Sequence, residues 1–283
     1  MYVPMSLSDR IADAAARFTP AERRVAQAVA DDPKIVAFGT VAQLATHSGT
    51  SGPTVLRFAS KLGFSGFAQL QTAVQEEIAD ALRPATERIR ERPPGDVLSR
   101  TLTTDLENVR STLEGTNPDE LRAAVELLAD RRRALHVLAG EFSRGVGLLL
   151  ATQLEMLRDH VSLVGGSPVR VSRLVSTVTA DDVVVAIDHR RYERWVLETT
   201  RRLVDAGASL IAITDSAMSP LAERAKHTFV VSARSPGPFD SHAGTIALVD
   251  AIVTGVATRL RRSATERLDA VEAAWSAASD LVD

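Results

Sequence analysis

Cysteine is absent from the 283 residues, which excludes disulfides, thiolate metal sites and cysteine nucleophiles and gives no sign of an oxidising compartment. Acids are missing from one long stretch: no Asp or Glu occurs between Pro33 and Gln75, where Lys34, Arg57 and Lys61 stand. A surface built from that stretch is one a polyanion tolerates. No apolar run is long enough for a membrane span, since the longest uncharged stretch, Ile35 to Leu56, is full of Thr, Ser, Gly and Gln. Asp9, Arg10, Asp13 and Arg17 interrupt the apolar pattern at the N-terminus, so no signal peptide and no membrane partner is expected, and a cytoplasmic location is. Walker A, G-x-S-x-G and HExxH motifs are also missing. Gly145-Val146-Gly147 falls inside a helical stretch and lacks a third glycine. The six histidines include no i,i+4 pair, so neither a metal nor a cofactor is expected.

What is present is ordinary for a globular chain, with 45% hydrophobic and 24% charged residues. The length points to two domains. The net charge of −3 means that any nucleic-acid contact rests on a local patch.

The sharpest local pattern runs from Val41 to Leu70. Val41, Leu44 and Ala45 form one apolar stripe at i, i+3, i+4, and Val55, Phe58, Ala59 and Leu62 form a second after a break. Between them Gly49 is suited to positive φ at a helix end, Ser51 carries a hydroxyl suited to cap the next helix, and Pro53 falls in that helix's first turn. Gly63 closes it. The pattern predicts a helix-turn-helix whose second helix presents Ser51, Pro53, Thr54, Arg57, Ser60 and Lys61 outward and Phe58 and Leu62 inward. A plain helical hairpin facing water is the alternative; the acid-free run argues against it.

Upstream, Thr19-Pro20-Ala21-Glu22 reads as a capped helix start, and Asp31-Asp32-Pro33 as its end. Residues 1–82 are therefore expected to be a helical domain, and 83–97, with its prolines and alternating charge, a linker. From Leu98 two helices flank Gly115-Thr116-Asn117-Pro118. Beyond residue 134, Ala134–Ala139, Val161–Val164, Val183–Ile187, Leu210–Ile213 and Phe229–Val231 are short Val- and Ile-rich runs, each followed by a turn and a helical pattern. Continuous hydrophobicity predicts strands buried on both faces, hence a doubly wound parallel sheet over 98–262, with ligands expected beyond the strands' carboxyl ends. The segment 263–283 reads as a C-terminal helix with Leu268, Val271, Trp275 and Ala278 on one side, covering either a dimer seam or the domain's own flank.

With TVLRFASKLGFSGFAQL in a helical first domain and AITDSAMSPLAERA in an α/β second one, the chain resembles the RpiR family of bacterial transcriptional regulators. Ser51, Thr54, Val55, Arg57, Phe58, Leu62, Gly63, Phe64, Gly66 and Phe67 match the family's pattern. The resemblance implies a helix-turn-helix joined to a flavodoxin-like sugar isomerase (SIS) domain, operator DNA as partner, a phosphorylated sugar or similar anionic metabolite as effector, and a homodimer or homotetramer. It places Ser51, Pro53, Thr54, Arg57 and Lys61 against DNA, with Arg57 reaching either base edges or phosphate.

In the SIS part, Ser143 stands where a hydroxyl and a helix N-terminus meet the ligand's phosphate, or is an N-cap only. Arg144 adds charge there or points to solvent. The chain departs from the family after the third strand, where Asp188-His189-Arg190-Arg191-Tyr192 replaces a Ser/Thr-rich turn. The two arginines suit a phosphate or carboxylate, or else an internal or inter-subunit ion pair. Thr214-Asp215-Ser216 shapes the pocket, and Ser241 completes it. An isomerase would need a proton-shuttling carboxylate or histidine; Glu141, Asp188, His189 and His242 are available, and no spacing selects a catalytic pair. A regulator without enzymatic activity is the expectation, with a sugar-phosphate isomerase or a ligand-free partner-binding protein as alternatives.

Overall fold

The structure is a computed structural model, and it describes residues 7–31, 34–81, 84–90, 95–165, 167–217 and 219–280. The first domain is built from helices α1 (Leu7–Ala14), α2 (Pro20–Asp31), α3 (Lys34–Phe38), α4 (Val41–His47), α5 (Gly52–Lys61) and α6 (Phe67–Ala81). Thr19 and Glu22 make the expected reciprocal cap on α2: the Glu22 carboxylate accepts from the Thr19 N–H at 2.7 Å and the Thr19 hydroxyl from the Glu22 N–H at 3.3 Å. Asp32 and Pro33, the expected helix stop, lie outside the described residues. Both helices of the turn motif end on a glycine with positive φ, Gly49 at 59° and Gly63 at 88°. At each, the next N–H reaches back five residues, Thr50 to Ala45 at 2.8 Å and Phe64 to Ala59 at 3.0 Å. An L-residue there would be strained, which is why the chain turns at these two points. Val55, Phe58, Leu62, Phe64 and Phe67 are buried in one core with α2 residues Val25 and Val29.

The expected linker 83–97 contains a short helix, α7 (Ala85–Arg90), and α8 (Val97–Gly115) opens at its last residue. Next come α9 (Pro118–Ala129), β1 (Leu135–Ala139), α10 (Arg144–Leu157), β2 (Val161–Val164), α11 (Pro168–Val175), β3 (Val183–Ile187), α12 (Arg194–Asp205), β4 (Ser209–Thr214), β5 (His227–Val230), α13 (Ala243–Arg259) and α14 (Arg261–Ala278). The strands pair in parallel in the order β2-β1-β3-β4-β5, with Val137 opposite both Leu163 and Val185. Alternate strand residues go to opposite layers. Val137, Val183, Val185, Ile211 and Ile213 pack with Leu128, Leu150, Leu154, Leu248 and Ile252 from α9, α10 and α13. Leu138, Val184, Ala186, Leu210 and Ala212 pack with Val171, Val196 and Leu203 from α11 and α12.

The expected helix after β4 is a single 3-10 turn, Ala222–Arg224, because the connection to β5 is short and carries Ser219-Pro220. The last strand starts two residues earlier than Phe229 and leaves out Val231. The beginning of α14 lies on the domain's own flank: Ala264 is buried, Leu268 packs on the core, and Arg267 ties to the Glu155 carbonyl at 2.9 Å and to Asp159 at 2.5 Å.

One buried side chain pins the α/β domain's start. Arg158, 1% exposed, donates from Nη1 to the carbonyls of Leu128 at 2.6 Å and Asp130 at 3.0 Å, from Nη2 to the carbonyl of Arg133, and from Nε to that of Asp159 at 3.0 Å. It thereby serves the C-terminal carbonyls of α9 and the turn leading into β1.

Candidate functional site

The outward face of α5 differs from its sequence reading in three residues. Ser51, Pro53, Leu56, Arg57 and Ser60 are exposed, so Ser51, Pro53 and Arg57 stand where a duplex can reach them. Thr54 is buried; its hydroxyl accepts from Arg57 Nη2 at 3.2 Å and bonds the Ser51 hydroxyl at 3.0 Å. It faces inward and braces Arg57. Ser51 is the N-cap residue by backbone only, since its hydroxyl goes to Thr54. Lys61 is not a free cation: its Nζ donates to Glu22 Oε2 at 2.6 Å and to the Arg17 carbonyl at 2.7 Å. The helix's last carbonyls are also served by Arg10, bonded to Leu62 at 3.1 Å, and Arg17, bonded to Lys61 at 3.4 Å. Arg24, absent from the sequence reading, reaches the turn at the Gly49 carbonyl at 3.4 Å and adds positive charge beside the turn before α5.

Burial pushes the Glu22 carboxyl up, but bonds from Lys61 and Thr19 outweigh it and hold the group at about 2, against 4.5 in a free chain. A depressed carboxyl contributes stability that is present above the unfolded value and is lost as pH falls toward the folded one. Glu22→Gln is therefore expected to lower stability at pH 7 by about 1–2 kcal/mol, the worth of a cap and one screened ion pair. It should also flatten the loss of stability between pH 4.5 and 2, as read by urea melts across that range. An unchanged acid limb would mean that the clamp does not form.

The second face lies where the strand order reverses, between the carboxyl ends of β1 and β3. Asp188 follows β3 and is buried; Oδ1 accepts the His189 N–H at 3.0 Å and Oδ2 the Glu193 N–H at 2.8 Å. Burial raises its carboxyl to about 6. Glu193 in turn accepts the Glu141 N–H on Oε1 and the Trp195 indole N–H on Oε2. The backbone approach is close enough that a Cβ on Gly140 would lie 2.5 Å from Asp188 Oδ1 and 3.0 Å from Glu193 Oε1. The loop opening α10 is thus lined by carboxylates. Ser143 is 1% exposed and makes no side-chain cap, and its N–H donates to the Gly140 carbonyl at 3.0 Å. Arg144 is exposed and lies 3.8 Å from Glu141.

His189 is enclosed. Burial lowers its imidazole to about 3, its ring stacks on His242 at 4.9 Å, and Thr245 Oγ1 lies 3.3 Å from Nε2. It stays neutral at physiological pH and shapes the wall. Arg191 is exposed and holds the left-handed region at φ 66°. Arg190 is at the centre: its guanidinium clasps Asp240, Nε to both oxygens at 3.0 Å and Nη2 to Oδ1 at 2.5 Å. Arg88 from α7 donates to the same Oδ1 at 2.9 Å. Burial raises the Asp240 carboxyl, but the two arginines hold it below the usual range. Asp215 takes the Arg190 N–H and the Tyr192 hydroxyl, each at 2.9 Å. Ser241 donates to Asp105 at 2.6 Å and accepts the Ala243 N–H at 3.2 Å, which opens α13. Phe142 and Phe239, both exposed, stack at 6.0 Å beside these loops.

The comparisons agree with this architecture domain by domain. Residues 5–81 match the model described as the helix-turn-helix domain of the rpiR family, and 127–255 match the SIS domain. The first domain is a helix-turn-helix of the rpiR type and the second a SIS domain. Among the chain's curated relatives, the HTH-type transcriptional regulator HexR of Pseudomonas aeruginosa is 25% identical over 84% of this chain and 85% of its own length. The sugar isomerase domain of an RpiR transcription factor from Sphaerobacter thermophilus is 29% identical, with a TM-score of 0.58 over 63% of this chain and 99% of that one. The Vibrio vulnificus NanR protein, solved with ManNAc-6P, shares the fold over 98% of this chain and 100% of its own, with a TM-score of 0.56 at 18% identity. The chain is accordingly a transcriptional regulator of the helix-turn-helix and SIS type. Among the described residues no single helix is long and apolar enough to cross a membrane.

Proposed function

We propose that this regulator binds operator DNA through Ser51, Pro53 and Arg57 of α5, and that its SIS domain senses a small anionic metabolite, a phosphorylated sugar or a close chemical relative. The effector lies over the ends of β1 and β3, its anionic group at Arg190 and its hydroxyls near the carboxylates of Asp188 and Glu193. Binding favours one arrangement of a homodimer or homotetramer and so sets the spacing of two reading helices on operator half-sites. The observation that carries this reading is the Arg190 guanidinium held on Asp240 at the strand-order switch. A guanidinium in that position is a ready bidentate site for phosphate. The phosphorylated sugar bound to NanR supports the same chemistry in a protein of this fold.

The test is a thermal-shift screen of sugar phosphates and small carboxylates on the full chain. A ligand at about 100 times its Kd stabilises by about 2.7 kcal/mol, enough for a clear rise in Tm. Arg190→Ala is expected to abolish that rise. If none of the compounds shifts the wild type, the sensor reading fails; turnover of a sugar phosphate would replace it with the isomerase reading.

A further inference from the structure

The linker helix meets the strand-end face through one side chain. Arg88 of α7 and Arg190 after β3 converge on Asp240 Oδ1, and all three side chains are largely buried, at 11%, 17% and 16% exposure. Two planar cations share one carboxylate, and a second acid, Asp215, stands beside them and accepts the Arg190 backbone N–H at 2.9 Å. Asp240 lies in the irregular segment before α13, outside any helix or strand. The other anion-binding feature of this face is already engaged, since Glu193 takes the Glu141 N–H at the mouth of α10.

We infer that Arg88 is an effector-binding residue supplied by the linker: a ligand with a dianionic group, a phosphomonoester or a dicarboxylate, bridges Arg88 and Arg190 in place of Asp240. This rests on the anion-sensing reading of the strand-end face given above. A dianion brings twice the charge and more acceptor oxygens to the two guanidinium groups than the single Asp240 carboxylate does, and a phosphate or dicarboxylate can take both planar forks at once. Its consequence is mechanical. Arg88 already ties α7, which directly follows the helix-turn-helix domain in the chain, to Asp240; the ligand exchanges that single bond for a bridge to Arg190 that holds α7 more firmly and releases the segment before α13, and this exchange is the differential contact that regulation requires.

The experiment uses the full chain and titrates inorganic phosphate, glucose 6-phosphate and malonate into wild type, Arg88→Gln, Arg88→Lys and Arg190→Gln, following heat of binding and trypsin cleavage after Arg90. Ligand-free melting curves check that each variant folds. Expected are at least tenfold weaker binding in Arg88→Gln, partial recovery in Arg88→Lys, and slower cleavage after Arg90 on ligand addition in wild type but not in Arg88→Gln. Malonate binding without phosphate-ester binding would assign the dianion to a dicarboxylate with the same bridge. If Arg88→Gln binds like wild type while Arg190→Gln does not, the bridge is wrong and the anion-sensing site stands. If none of the three probes binds, or Arg190→Gln binds normally, that reading falls together with the bridge.

Discussion

Arg158→Met is expected to destabilise the α/β domain by about 3–4 kcal/mol at pH 7, a fall of about 10 °C in its Tm. The guanidinium is buried against carbonyls rather than a carboxylate, and it serves three chain segments at once: the end of α9, the turn before β1 and its own neighbour Asp159. Methionine fills the space of the stem but donates nothing, which leaves the carbonyls of Leu128, Asp130 and Arg133 without their buried partner, at a cost of about 1–3 kcal/mol for each that water cannot reach. The loss of a cation from the C-terminal end of α9 adds to it. Arg158→Lys should fall between the two, because an ammonium reaches fewer carbonyls than a planar fork. Urea denaturation of the three proteins decides the matter; a loss below about 1 kcal/mol would show that water replaces the guanidinium at little cost.

Arg57→Ala should weaken binding to a selected operator duplex tenfold to a hundredfold, about 1–3 kcal/mol. Arg57 is exposed on α5, and the Thr54 hydroxyl steadies it, so its guanidinium is presented with part of its freedom already removed. Anisotropy titrations on a duplex enriched from random sequence, on a scrambled duplex, and at two salt concentrations separate two roles. A loss confined to the selected duplex assigns base-edge contact, whereas an equal loss on both with a shallower salt slope assigns phosphate contact. A change under twofold would mean that α5 is not the reading helix. Lys61→Ala serves as the contrast: it breaks the pair with Glu22 and should lower stability more than it lowers DNA affinity.

The legible features of this chain were the local ones. Gly49, Pro53 and Gly63 announce helix ends because a positive φ or a missing N–H acts within a few residues. Buried parallel strands announce themselves as Val-rich runs, and four of the five begin and end within a residue of where hydrophobicity alone puts them. Thr54 was also readable as inward-facing, since it stands four residues before Phe58 on the same side of the helix. Pairings between distant segments were not legible. Glu22 with Lys61, Asp240 with Arg190 and Arg88, and Glu193 with Glu141 join residues whose spacing along the chain carries no period, so only the folded backbone brings them together. The acid-free stretch around α5 misled for the same reason, because the acid that neutralises Lys61 arrives from α2.

Glu193 gives the sensor face a property of its own. Its carboxylate rests on the Glu141 amide and the Trp195 indole, so the protein supplies its own guest at the start of α10. Recognition there becomes an exchange: a newcomer is measured against an incumbent of similar chemistry rather than against water.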